Sequence, residues 1–210
     1  MTTVSDRPTP RRVDIVLDII CAHSYIGYTR FARAARRFRD EGGELEVRFH
    51  PYQLDPDASP AGEPLLAALE RKFGGGVRAE TARVAAHAAH DGLVLDYENA
   101  VHTATLEAHR HLVLAAGQGK AEELAERLFR AYFTDAVNIS DPAVLARLAD
   151  ETGVRTGEDP AEGADEVRAG LERVRRGNVR AIPVLLFENG PTFTGAQSEE
   201  AYLAALRTTA

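Results

Sequence analysis

From residue 13 to residue 20 the chain is almost uninterrupted in apolar side chains: Val13, Ile15, Val16, Leu17, Ile19 and Ile20, broken only by Asp14 and Asp18. A β-branched run of this kind predicts a strand buried on both faces, central in a sheet. The period then changes. From Ser24 to about Asp40, Ile26, Phe31, Ala34, Ala35 and Phe38 recur at helical spacing, and Gly42-Gly43 ends the element by offering left-handed backbone. Residues 44–50 alternate apolar and polar and stop at Pro51, which predicts a second strand. Strand, helix and strand joined this closely predict a parallel pair with a right-handed crossover.

Three prolines make 51–60 a loop, and the signal after it is helical for more than 100 residues. Helices are predicted over 64–73, 77–90, 103–116, 120–133, 142–151 and 161–176. Asp141-Pro142 and Asp159-Pro160 read as N-caps followed by proline at the first helical position. Leu124, Leu128, Phe129, Tyr132 and Phe133 supply an apolar stripe for the other helices to pack on. Strand character returns at 183–187, turns at 188–191 and resumes at 192–194, before a helix capped by Ser198 with Tyr202, Leu203 and Leu206 on one face. Residues 1–11, with Pro8 and Pro10, read as a loose leader. The expectation is an α/β fold in three stretches: a βαβ part over 12–57, an all-helical insertion over 60–177 and a ββα part over 178–207.

Composition narrows the function. The 210 residues are 44% hydrophobic and 27% charged, as in a globular protein large enough for one good core. A net charge of −7 disfavours a nucleic-acid partner, which needs clustered positive charge. Arg30, Arg33, Arg36, Arg37 and Arg39 do cluster, but on a helix, where a solvated face is the expectation. No apolar run approaches the ~18–20 residues needed to cross a bilayer, so no membrane partner is expected. The N-terminal residues lack the apolar core of a signal peptide, and a cytoplasmic location follows as an expectation.

The chemistry centres on Cys21, the one cysteine, at the junction of the first strand and the first helix. The unpaired N–H groups of a helix N-terminus favour thiolate over thiol, which would make Cys21 a nucleophile near neutral pH. An inert, buried small hydrophobe is the alternative. Ser24 takes the place a second thiol would need one turn on, so no disulfide can close within the chain. His87 and His90 share a helix face, but no Cys or carboxylate spacing completes a metal site, and none is expected. Gly74-Gly75-Gly76 lacks the following lysine and hydroxyl of a phosphate loop and reads as a flexible turn.

Four stretches together carry a family resemblance: Cys21-Ala22-His23-Ser24-Tyr25-Ile26-Gly27, the 51–57 loop around Gln53, Ala108-His109-Arg110, and Ala181-Ile182-Pro183 with the later Gly195-Ala196-Gln197. With the element order, they resemble the DsbA-like oxidoreductases of thioredoxin fold with a helical insertion. The similarity is greatest to the FrnE branch, whose relatives include 2-hydroxychromene-2-carboxylate isomerases and kappa-class glutathione transferases. The resemblance implies that Pro183 is cis and faces Cys21, that Ile182 pairs by its main chain with an extended substrate, and that His109, Gln53 and Tyr25 contact substrate. It also implies a possible homodimer.

Two positions depart from the family pattern: Ser24 replaces its second cysteine, and Ala104 stands where the FrnE branch has an asparagine. The implied activity is a monothiol thiol–disulfide exchange in which Cys21 attacks, Ser24 or His23 stabilises the thiolate, and an outside thiol resolves the mixed disulfide. The substrate would be a small-molecule thiol or a protein or peptide disulfide, with glutathione as co-substrate and no tightly bound cofactor. A glutathione-dependent isomerase or transferase using Ser24 or Cys21, and a degenerate binding scaffold, are the other implied readings.

Overall fold

The computed structural model describes residues 10–157, 159 and 161–208. Its main sheet has strand order β2-β1-β5-β6, formed by β1 (Arg11–Leu17), β2 (Leu45–Pro51), β5 (Val184–Phe187) and β6 (Thr192–Thr194). β1 is central, parallel to β2 and antiparallel to β5, while β6 closes the edge against β5. Val13, Ile15 and Leu17 join the main core, whereas Val16 packs with Val174 and Val184 in a second, smaller cluster. Burial on both faces is why this strand lacks a polar stripe.

Helix α1 (Ala22–Asp40) follows β1 and packs against the C-terminal helix α8 (Glu199–Arg207), where Tyr202 meets Phe31 and Phe187 in an aromatic cluster. Ser198 caps α8 by accepting the Ala201 N–H at 3.2 Å. Between β2 and β5 lie α2 (Leu65–Phe73), α3 (Val77–Ala89), α4 (Leu106–Ala116), α5 (Ala121–Phe133), α6 (Pro142–Thr152) and α7 (Ala164–Arg176). The stripe Leu124, Leu128, Phe129, Tyr132 and Phe133 on α5 is fully buried, and one apolar core runs from it through α1 into the sheet.

The structure corrects several sequence expectations. β1 stops at Leu17, because Asp18-Ile19-Ile20 turns and the Cys21 N–H donates to the Asp18 carbonyl at 3.1 Å. Arg11 belongs to β1, its N–H donating to Glu44, and the rest of the expected leader lies outside the described residues apart from Pro10. The insertion is not all helical: β3 (Glu63–Pro64) and β4 (Val101–His102) pair antiparallel, tying together the two ends of the α2–α3 hairpin and delaying α4 to residue 106. Asp141 caps α6 as expected, accepting from Ala143 and Val144. Asp159 instead caps a separate turn, accepting the Ala161 N–H at 2.8 Å; α7 begins only after Gly163, and Pro160 lies outside the described residues.

Candidate active site

Cys21 is the N-cap of α1, in extended backbone, and its Sγ accepts the Ser24 N–H at 3.4 Å. A cysteine sulfur therefore satisfies one of the free donors of the first helical turn, the place where Ser or Asp usually serves. Cys21 is only 7% exposed. Burial pushes its pKa above the ordinary thiol value; the Ser24 and His23 N–H groups oppose this, and the Asp18 charge adds to it. The direction is opposite to the one expected from the helix N-terminus. A helix end contributes about 0.3–1 kcal/mol, and desolvating a charge in an apolar site costs considerably more.

Asp18, in the turn before Cys21, is fully buried. One carboxylate oxygen accepts the Leu54 N–H at 2.7 Å, and the other faces His109 Nε2 at 3.3 Å. His109 Nε2 also lies 3.0 Å from the Tyr52 carbonyl. The pair thus joins the end of β1, the loop after β2 and helix α4 at the base of the cysteine. Among the described residues, three buried hydroxyls, on Ser24, Thr105 and Tyr132, have no hydrogen-bond partner.

Cys21 lines a cavity of about 550 Å³ between the start of α1 and the α2–α3 hairpin. Its wall includes Ile20, His23, Leu54, Leu69, Val84 and Tyr97. Burial raises the Tyr97 pKa, and the nearby Cys21 would raise it further as a thiolate, so the phenol stays protonated across the ordinary pH range.

The structure separates the residues the sequence groups together. Cys21 and His23 share the cavity, with His23 exposed at its edge. Ser24 is fully buried and reaches the thiol through its N–H. His109 is 3% exposed and committed to Asp18 and Tyr52. Tyr25 stacks on Phe129 at 5.0 Å and on Phe133 at 5.8 Å, which commits its ring to the core. Gln53 lines a different groove, with Val174 and Asn178. The Ile182–Pro183 bond is cis. Pro183 packs on α1 at Gly27, where an added Cβ would stand 3.0 Å from its ring and 3.3 Å from the Ala196 Cα, so a larger residue there would force these neighbours to shift. Ile182 joins the cluster of Val16, Val174 and Val184. Ala104 is half-buried before α4.

Outside the site, Arg30 is held by Asp91 at 2.7 Å, Arg37 by Glu199 and Glu200, and Arg39 by Glu122. Arg30, Arg37 and Arg39 are thus spent on ion pairs that tie α1 to the turn after α3, to α8 and to α5. Among the described residues no three His, Cys, Asp or Glu side chains gather as a metal site, and no helix is long and apolar enough to cross a membrane.

The strand order, the cis proline against α1 and the cysteine at its N-cap converge with a direct match: residues 12–207 fit the DSBA-like thioredoxin domain. The chain belongs to this family. A probable DsbA oxidoreductase of Streptomyces coelicolor superposes on the DsbA-like chain with a TM-score of 0.82 at 31% identity, covering 93% of this chain and 88% of that one. The 2-hydroxychromene-2-carboxylate isomerase superposes at 0.60 with 12% identity over 88% of each chain. The cytosolic disulfide reductase DsbM of Pseudomonas aeruginosa, in its structure with GSH, superposes at 0.58 with 22% identity, over 91% of this chain and 92% of that one. These last two share the fold. The uncharacterized protein YwbO of Bacillus subtilis is 24% identical over 143 residues, 68% of this chain, which spans just under two thirds of that relative, 66%.

Sequence reasoning missed Asp18 and Tyr97. Asp18 carried a signal, a carboxylate inside an apolar run, which must find partners when buried. Tyr97 carried none, since it stands in a polar loop and reaches the cysteine only through the fold of the α2–α3 hairpin.

Proposed function

We propose that this DsbA-like protein is a monothiol thiol–disulfide oxidoreductase acting through Cys21. The observation that carries the reading is a thiol at the N-cap of α1, hydrogen-bonded by the Ser24 N–H, on the wall of a cavity large enough for a small molecule. After losing its proton to solvent, Cys21 attacks one sulfur of a disulfide; the new Cys21 S–S bond forms as the old one breaks, and the departing thiolate takes up a proton. Ser24 offers no second thiol, so an outside thiolate attacks the mixed disulfide and releases Cys21. The cycle exchanges disulfide partners and needs a supply of thiol, which fits a reducing compartment such as the cytoplasm.

The test is disulfide turnover with and without added thiol. The expected result is turnover that requires the thiol, vanishes in Cys21→Ser and survives in Ser24→Ala. Turnover that persists in Cys21→Ser overturns the assignment.

A further inference from the structure

The wall of the Cys21 cavity has a strong chemical bias. Leu54, Leu65, Leu69, Phe73, Val77 and Val84 line it, and the apolar surface continues to the mouth, where Leu54 is 43% and Phe73 67% exposed. Glu80 and His23 are the acid and the histidine among the described lining residues, which include no lysine or arginine. Glu80 is in turn paired with the exposed Arg83. An anion entering this space meets a carboxylate and no guanidinium or ammonium in the wall to compensate its desolvation. Glutathione carries two carboxylates and one ammonium, so the wall is poorly matched to it. The burial of Cys21, 7% exposed, also works against a disulfide held on the surface of a folded protein.

We propose that the disulfide exchanged at Cys21 is a small molecule with an uncharged, apolar body that fills the space between α1, α2 and α3. This substrate class rests on the monothiol reading above. The apolar half stays in the cavity as the Cys21 mixed disulfide, the other half leaves as a thiol, and an outside thiol completes the exchange.

The test uses three methanethiosulfonates that share one leaving group and differ in the transferred arm: benzyl, sulfonatoethyl (an anion) and trimethylammonioethyl (a cation). In each, the Cys21 thiolate attacks the sulfenyl sulfur, the S–S bond breaks, and methanesulfinate departs with its electron pair. Rates are followed by intact mass and divided by the rate of each reagent with a free thiol; oxidised glutathione is run alongside. The expected result is a benzyl rate at least tenfold above the anion after this normalisation, with oxidised glutathione slower still. Leu69→Arg is expected to narrow or reverse that ratio, while the protein unfolded in urea shows none of it. An anion or oxidised glutathione as fast as benzyl in the folded wild-type chain overturns the substrate class and leaves the monothiol reading standing. A folded chain inert to every reagent, but reactive in urea, removes the monothiol reading as well.

Discussion

The burial of Cys21 makes a quantitative prediction about pH. A thiol at its ordinary value of about 8.5 is roughly 3% thiolate at pH 7, whereas one tuned to about 7 is half ionised. Because burial raises Cys21, its thiolate fraction at pH 7 falls below that of an ordinary thiol. Alkylation by a small neutral reagent, measured by intact mass from pH 6 to 10, should therefore climb about tenfold per pH unit from 7 to above 8.5 with no plateau in between. At pH 7 it should run at least about 15-fold slower than for a half-ionised thiol, with the cavity entrance slowing it further. The same shift appears in stability with a fixed sign. Above about pH 8.5 the unfolded chain releases the thiol proton while the folded chain keeps it, so stability falls as pH rises. Cys21→Ser should remove that contribution. An alkylation rate that levels off below pH 7 would mean that the Ser24 N–H and the helix end outweigh desolvation, the opposite of a raised thiol pKa.

Asp18→Asn keeps an acceptor for the Leu54 N–H but removes the negative charge near Cys21; the alkylation profile should move to lower pH, and the lost charged contact with His109 should cost about 1–3 kcal/mol in denaturant unfolding. An unshifted profile would separate Asp18 from the thiol. Ser24→Cys places a second thiol on the residue whose N–H already meets Cys21 Sγ, and mild oxidation should close an intramolecular disulfide and leave no titratable thiol; two free thiols after oxidation would count against the site geometry. Tyr28 is held protonated by burial well above its ordinary value. The unfolded chain ionises near pH 10 and the folded chain does not, so stability should decline above that pH by up to about 1.4 kcal/mol per unit for this group. Tyr28→Phe should lessen the slope, and an unchanged slope in that variant would contradict the buried phenol.

Local pattern was sufficient for much of the architecture. The apolar run at 13–17, the helical spacing after Ser24 and the α5 stripe each bury what their periodicity implied, because each element's neighbours are set by which face is apolar. Asp141 and Ser198 capped where their side chains could reach the next N–H groups. The β3–β4 pair was not legible, since two-residue strands carry no period and Glu63 and His102 are brought together by the hairpin between them. The raised Cys21 pKa was not legible for a similar reason: the helix end is visible in sequence, but the cavity walls beside the thiol come from α2, α3 and the Leu54 loop. Tyr25 follows the cysteine by one turn in sequence, yet α5 covers that turn with Phe129 and Phe133. Whether a residue beside the motif faces the cavity or the core depends on partners about a hundred positions away.

The most direct test of the account is the mass of the folded protein after exposure to an apolar disulfide at pH 8, alone and then with excess thiol. Monothiol exchange at Cys21 gives one adduct per chain, absent in Cys21→Ser, and its complete release by the thiol. A folded chain that takes no adduct, while the same chain in urea takes one, would contradict it.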